Sequence, residues 1–451
     1  MVLHIAIVGG GIGGLTLAVA LSKTIAGDHI EIDMYEAASE MTQVGAGITF
    51  WPRAWKILET LGLTEALITH LPPGSGAPDD QMKLAFRLRK ADQKEGGSIL
   101  DLVIPGAALS FHRSAVQSVL LENLSPKVHC HLSHRLISYQ RSLNPSASAN
   151  PRPIELLFSN GKITTCDILV GADGLRSAVR RQFREQQTRA DNPAPLPPFR
   201  DIRSDLIWSG TFAYRFSVDS ATLRQNLPDH RVFTTPVIYC GKNKHLVAYP
   251  ILQGKIVNVA AYVSDLSHEG TDYTGPTFED VTRDEFTSEF DLWEEEVRGL
   301  VNNALNPSRW AIHSVEPLSV YAQGGVILLG DAAHAMTPHQ GNGAGQAIED
   351  AYILAHLIDK IVQEPVIDTA HLCEVYSCVR QPVANFIHQA SRKHGLMYEF
   401  NDSSFPYVSH EGDATLPPQR LQELGTMIVK DWEYAWLTDA EGEKERALAM
   451  L

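Results

Sequence analysis

The chain begins with a short, mostly apolar run, HIAIV at 4–8, the length of one buried strand. Six residues follow, five of them glycine (9–14). The apolar pattern then resumes as a Leu- and Ala-rich stretch that predicts a helix over 12–25. Alternation returns in HIEIDMYE (29–36), a second strand. Strand, helix, strand implies a parallel pair joined by a crossover helix, so the chain opens as an α/β unit. In GAGITFWPRAWKILETLGL (45–63) a glycine turn precedes Pro52 and apolar residues at helical spacing. FHRSAVQSVLLENL (111–124) predicts another amphipathic helix. IELLFSNGKITTCDILVGADG (154–174) reads as a strand, an Asn-Gly turn, a strand and a further strand ending in glycine.

Three segments break the pattern: LPPGSGAPDDQ (71–81), RSLNPSASANPRP (141–153) and the proline-rich 185–200, all read as linkers or loops. From Leu206 to Val263 short alternating runs dominate, among them LIWSGTFAYRF, HLVAYPI and IVNVAAYV, which predict a mostly antiparallel sheet. The acidic DEFTSEFDLWEEEVRGLV (284–301) reads as a solvated helix face. Strand, glycine turn and helix return at 324–358, and the remainder to Leu451 is helical in pattern. The implied plan is a discontinuous nucleotide-binding domain (1–75, 105–190, 310–370), an inserted sheet domain (76–104, 191–309) and a helical C-terminal region (371–451). Three glycine-punctuated strand ends, at Gly9–Gly14, Gly171–Gly174 and Gly330–Gly345, belong at the carboxyl edge of such a sheet, where ligands bind.

Composition narrows the partners. The 451 residues carry 38 Lys and Arg against 53 Asp and Glu, a net charge of −15, which disfavours nucleic acid. The five cysteines are scattered without a Cys-x-x-Cys pair, so neither a disulfide framework nor a zinc knuckle is expected. No apolar stretch is long enough for an integral membrane segment, and a cytoplasmic location is the expectation.

The glycines carry the first chemistry. Gly9, Gly11 and Gly14 fit G-x-G-x-x-G between a predicted strand and helix, where free N–H groups and a positive helix end receive a pyrophosphate. Glu36 ends the second strand 22 residues after Gly14. It is placed to accept both hydroxyls of an adenosine ribose and to repel a 2′-phosphate. The ADP half of FAD or NAD is implied; a ligand-free turn is the bland alternative. The distant VILLGDAAHAMTPHQGNGAGQAIEDA favours FAD. There Asp331 stands at a strand end, able to hold ribityl hydroxyls. Gly341, Gly343 and Gly345 open a helix whose positive end suits the negative charge of a reduced flavin.

Together the N-terminal GGGIGG with Glu36, GADGLRS (171–177) and GDAAHAMTPHQGNGAGQAIEDA (330–351) resemble the group A flavoprotein aromatic hydroxylases. The chain is similar to the salicylate hydroxylase branch and, more distantly, to para-hydroxybenzoate hydroxylase. GAGI at 45–48 and His112-Arg113 add to the likeness, which runs from about His4 to about Tyr398. The resemblance implies a Rossmann-like FAD-binding domain with an inserted β-sheet substrate domain. It implies FAD at Gly9, Gly11, Gly14, Glu36, Gly45, Gly47, Arg113 and Asp331, with Pro338 and the following glycines along the isoalloxazine. Asp173 would serve the dinucleotide-binding face and a transient NADH or NADPH. One departure is Arg53, where members often carry asparagine. The implied reaction is that of an NAD(P)H-dependent monooxygenase acting on a small aromatic with dioxygen through a C4a-hydroperoxyflavin; with a salicylate-type substrate, carbon dioxide is lost.

Other residues divide between chemistry and packing. Arg215 and Tyr249 lie on predicted strands of the middle segment, and fungal phenol hydroxylases of the family place an arginine and a tyrosine at similar positions. A one-residue shift of register would present Tyr214 instead. His334 and His339 lack further ligands at metal spacing, so no metal is expected; His339 is a candidate substrate contact. Cys373, Cys378, Trp432 and Trp436 read as packing. An epoxidase or reductase of the same family and a non-catalytic FAD-binding module remain rival readings. The residues leave open the substrate and the choice between monomer and homodimer.

Overall fold

The computed structural model describes residues 2–25, 29–41, 47–71, 80–141, 153–191, 205–366 and 368–451. Leu3–Val8 pairs in parallel with Ile30–Tyr35 on one side and Ile168–Gly171 on the other. Val128–His131 and Val326–Leu328 extend the parallel sheet, and the short Ala322–Gln323 closes one edge antiparallel. The central strands Leu3–Val8, Ile168–Gly171 and Val326–Leu328 are almost wholly apolar because both faces are covered; Ile5, Ala6 and Ile7 are wholly buried. The helix Ile12–Ser22 lies against Gly343–Gln363 on one face. It is buried from Ile12 to Leu21, which explains its all-round apolar sequence. The Asn-Gly hairpin forms as expected, Ile154–Phe158 against Ile163–Cys166, with Gly161 at φ +81°.

The second large sheet has eight strands, in the order Phe278–Asp280, Leu305–Val315, Leu206–Asp219, Ile256–Ser264, Lys244–Ile251, Val237–Gly241, Met82–Lys90 and Gly97–Pro105. All neighbours are antiparallel except Val237–Gly241 with Met82–Lys90. One face packs on buried Phe216, Phe286, Trp293 and Leu300. The other faces the carboxyl edge of the parallel sheet across a cavity.

Two expectations are corrected. The segment from 185 does not begin as a linker: the helix Ala178–Asp191 continues through it. Arg, Glu and Gln are good helix formers, and buried Val179 and Phe183 anchor the apolar side. The acidic stretch 284–301 is not one solvated helix. Only Glu295–Asn302 is α-helical, Phe286, Phe290 and Trp293 are buried, and Glu294 is held bidentately by Arg89.

After Val315 the chain is mainly helical, apart from the sheet's last strands, short turns and the irregular stretch 399–417. The helix Thr369–Tyr398 starts on a capping Asp368, which accepts the His371 N–H at 2.8 Å. Trp432 and Trp436 pack with Trp51 and Phe86, as their spacing predicts. Among the described residues no helix is long and apolar enough to cross a membrane. The expected loops at 72–79 and 142–152, and the remainder of the 185–200 segment from 192, lie outside the described residues.

Candidate functional site

The cavity between the two sheets measures about 1070 Å³. The carboxyl ends of the parallel strands form one wall. Gly9 takes φ +114°, and a Cβ there would lie 2.2 Å from the Ala172 carbonyl oxygen, so the turn demands glycine. At Gly14 a Cβ would lie 2.1 Å from the Gly9 oxygen. Glycine at 14 therefore lets the helix begin directly against the turn, although Gly14 itself does not reach the cavity. Glu36 accepts the N–H groups of Gly10 and Ala38, each at 2.8 Å, which fixes its carboxylate at the wall.

Two helices begin at this space. Ile12–Ser22 starts from Gly11 and Gly343–Gln363 from Asn342. Neither start has a side-chain cap or an acidic residue in its first turn, so N–H donors and two positive helix ends face the cavity. Asp331 lies beside the second start, its Oδ1 3.9 Å from where a Gly343 Cβ would be. Arg113, first residue of Arg113–Glu122, has a buried Nε without a hydrogen-bond partner. Burial works against its positive charge, which Asp331 supports and Arg215 opposes. A glycine cradle, two uncapped helix starts and a cation whose buried Nε is unbonded suit an elongated dinucleotide with a diphosphate and an anionic ring edge, and FAD is such a group.

The opposite wall is the eight-stranded sheet. Arg215 lines the cavity, its guanidinium 5.3 Å from the Trp310 ring, and its buried Nε has no partner. Tyr214 points to the other face, stacked on Phe286 at 4.8 Å, so the register presents Arg215. Tyr249 also lines the cavity, with Thr49 and Asn258 as hydrogen-bonding neighbours. Burial raises its hydroxyl pKa and Arg215 opposes the rise. A Cβ on Gly47 would lie 2.0 Å from the Tyr249 hydroxyl, so glycine at 47 makes room for the phenol. Tyr262 completes this wall; burial raises its pKa as well.

Known proteins resemble the chain along its whole length. A family model described as an FAD binding domain matches residues 2–194 and 274–391, more than half of the chain. Salicylate hydroxylase of Pseudomonas putida is 32% identical, covering 100% of this chain and 95% of that protein. The chain belongs to the FAD-dependent aromatic monooxygenases. Among further relatives of this monooxygenase, 6-methylsalicylate 1-monooxygenase atA of Aspergillus terreus is 29% identical, covering 98% of this chain and 91% of that one. A solved salicylate hydroxylase substrate complex superposes with a TM-score of 0.78 at 28% identity, covering 99% and 98% of the two chains.

Within this monooxygenase the sequence-predicted residues separate into groups. Gly9, Gly11, Glu36, Gly47, Arg113 and Asp331 line the cavity, as do Pro338, Gly341 and Gly343. Gly345 does not; a Cβ there would make an ordinary 3.4 Å contact with Ala54. Gly45 lies outside the described residues. Asp173 reaches the cavity wall, but its carboxylate is engaged elsewhere. It accepts from the Ser177 hydroxyl, from the Ala178 N–H at 2.7 Å and from the Val179 N–H at 3.3 Å, and so caps the helix Ala178–Asp191. Burial raises its pKa against these bonds.

His339 is a wall residue. Its Nδ1 lies 3.3 Å from His245 Nε2, whose partner nitrogen meets Glu399 at 2.8 Å. Its Nε2 is buried without a partner, close to Gly395. Burial, then His245, holds its pKa well below the usual range, so it is neutral and both nitrogens face protein. Arg53 turns away from the cavity into a bidentate pair with Glu349 and bonds to Thr438 and Glu443. Asn258, Tyr262 and Trp310 are cavity residues that the sequence reading passed over. The alternation in IVNVAAYV puts Asn258 and Tyr262 on one face, and only the pairing with Arg215's strand shows which face it is.

Proposed function

We propose that this monooxygenase hydroxylates a phenolic or hydroxybenzoate-type aromatic, with NADH or NADPH as transient reductant and dioxygen as oxidant. The supporting observation is Arg215, a cation on the cavity wall that forms no ion pair with any carboxylate among the described residues and stands beside Tyr249. Bound FAD, reduced by the nicotinamide, supplies activation of dioxygen and transfer of one oxygen atom. The chain's own residues prepare the aromatic. A phenol with a pKa of about 10 is roughly one part in a thousand ionised at neutral pH. Lowering that pKa by about 3 units takes on the order of 4 kcal/mol, within reach of one cation in a water-poor cavity. Arg215 is that cation, and the neutral Tyr249 hydroxyl fixes the ring by a hydrogen bond. The relatives that act on salicylate and 6-methylsalicylate make a 2-hydroxybenzoate the first substrate to test, with loss of carbon dioxide on attack at the carboxylated carbon.

The test is a panel of phenols and hydroxybenzoates scored for stimulated NADH or NADPH oxidation, with product masses. A product heavier by one oxygen, or a catechol formed with release of carbon dioxide, supports the proposal. Oxidation of an alkene or alcohol with none of the aromatics converted contradicts it.

A further inference from the structure

On the cavity-facing side of the eight-stranded sheet, Arg215 stands at one end of a row of small and apolar residues that Tyr249, Asn258 and Tyr262 flank. Register pairs Arg215 with Ala260, Ala260 with Val247, and Val247 with Ile238. Residues paired across antiparallel strands share a face, and all four line the cavity. Three inter-strand steps of about 4.8 Å make this row about 14 Å long. On the opposite face Leu246, Ala248, Val259 and Ala261 are wholly buried. Ala260 and Val247 stay half-open because their side of the sheet is the cavity floor. Beyond Ile238 the floor ends against Phe86, Trp51 and Trp432. The polar groups, Tyr249 with Asn258, gather near Arg215.

An unsubstituted hydroxybenzoate bound by Arg215 covers roughly two of the three steps and stops at half-open Val247, short of the cavity edge of buried Ile238. We propose that the substrate is a hydroxybenzoate carrying an apolar substituent of about four carbons on the ring edge opposite its carboxylate, the substituent lying over Val247 and Ile238. Ala260 is the small residue that lets the ring lie flat between charge and apolar end. This deepens the proposed aromatic hydroxylation and rests on it.

The test is a series of 2-hydroxybenzoates bearing hydrogen, methyl, ethyl, propyl or butyl at position 4, assayed with the FAD-loaded enzyme for product formed. The expected result is a rise in kcat/KM of roughly three- to fourfold for each methylene buried. In Val247→Phe the new ring fills the floor, so the ratio of butyl to unsubstituted kcat/KM falls to about one. Ile238→Phe blocks the far end of the same path independently and lowers the same ratio; FAD content reports that each variant has folded. Turnover of the unsubstituted acid with no gain along the series overturns the inference and leaves aromatic hydroxylation standing. A gain that survives both blocking variants overturns the placement on this floor. Conversion of no member of the series overturns the inference alone where another phenol is hydroxylated, and the underlying reading with it where only an alkene or alcohol is oxidised.

Discussion

Asp331 sets one residue-scale expectation. Its carboxylate lines the cavity beside an uncapped helix start, where ribityl hydroxyls would donate to it. Asp331→Ala should weaken FAD by about 1.5–3 kcal/mol, roughly ten- to hundredfold in Kd, read from flavin fluorescence on titrating apoprotein. Unchanged retention would remove Asp331 from the site. Gly47 gives a sharper contrast. A methyl at 47 collides with the Tyr249 hydroxyl and not with the glycine turn at 9–14. Gly47→Ala should therefore keep FAD and raise KM for the aromatic; loss of FAD instead would place Gly47 in the cofactor cradle. At this scale the sequence was informative where a residue type has one use. A glycine needed for positive φ or close approach is such a case. Asp173 was less legible because an Asp after a strand serves equally as a ligand group and as a helix cap, and its hydrogen bonds show the cap.

Among elements, the parallel strands and their helices were legible because their apolar runs and glycine breaks have few other readings. The observed Leu3–Val8, Ile12–Ser22 and Ile30–Tyr35 fall within a residue or a few of the predicted spans. The eight-stranded sheet was legible as alternation but not as register. Arg215 and Tyr214 are adjacent, and the choice between them depends on pairings with Ala260 and Ser308 that local sequence does not encode. The turn at 9–14 makes its own prediction. In Gly14→Val the side chain meets the Gly9 oxygen, so the helix Ile12–Ser22 cannot start where it does. The purified variant should lack flavin. Wild-type flavin content would mean that the turn relaxes without cost to the cofactor.

The whole molecule is tied together beneath the site by buried charge. Arg380 bonds Asp350 at 2.8 Å, Glu349 at 3.1 Å and Glu443 at 2.9 Å, while Arg53 shares Glu349 and Glu443. Asp350 in turn accepts the Gly330 N–H at 2.9 Å and pairs with His334 at 2.6 Å. The C-terminal helix Glu441–Met450 is thus linked to the turn that carries Asp331. None of this was legible in advance, because charges on four separated segments meet only in the folded chain. Arg380→Leu leaves three carboxylates short of a partner and should cost about 3–5 kcal/mol, read as a lowered urea midpoint. Acid acts on the same network. Asp350 is held down to about 2, as His334 and Arg380 favour its charge over the opposing effect of burial. Asp33 is likewise held at about 2 between His4 and His131. Folded values below the unfolded ones mean that this stabilisation is intact above about pH 4 and is lost as pH falls through about 2. Urea midpoints measured from pH 5 to 2 should fall along that limb, and less steeply in Asp350→Asn.

On the proposed function Arg215 prepares a phenol for oxygen transfer, and the ratio of hydroxylated product to NAD(P)H consumed reads that preparation directly. With the aromatic that the wild-type enzyme converts, Arg215→Ala should retain FAD and flavin reduction yet release peroxide in place of product. Arg215→Lys should recover part of the coupling, and the loss in Arg215→Ala should ease as rising pH ionises the phenol in solution. Wild-type coupling in Arg215→Ala across that pH range would contradict the account.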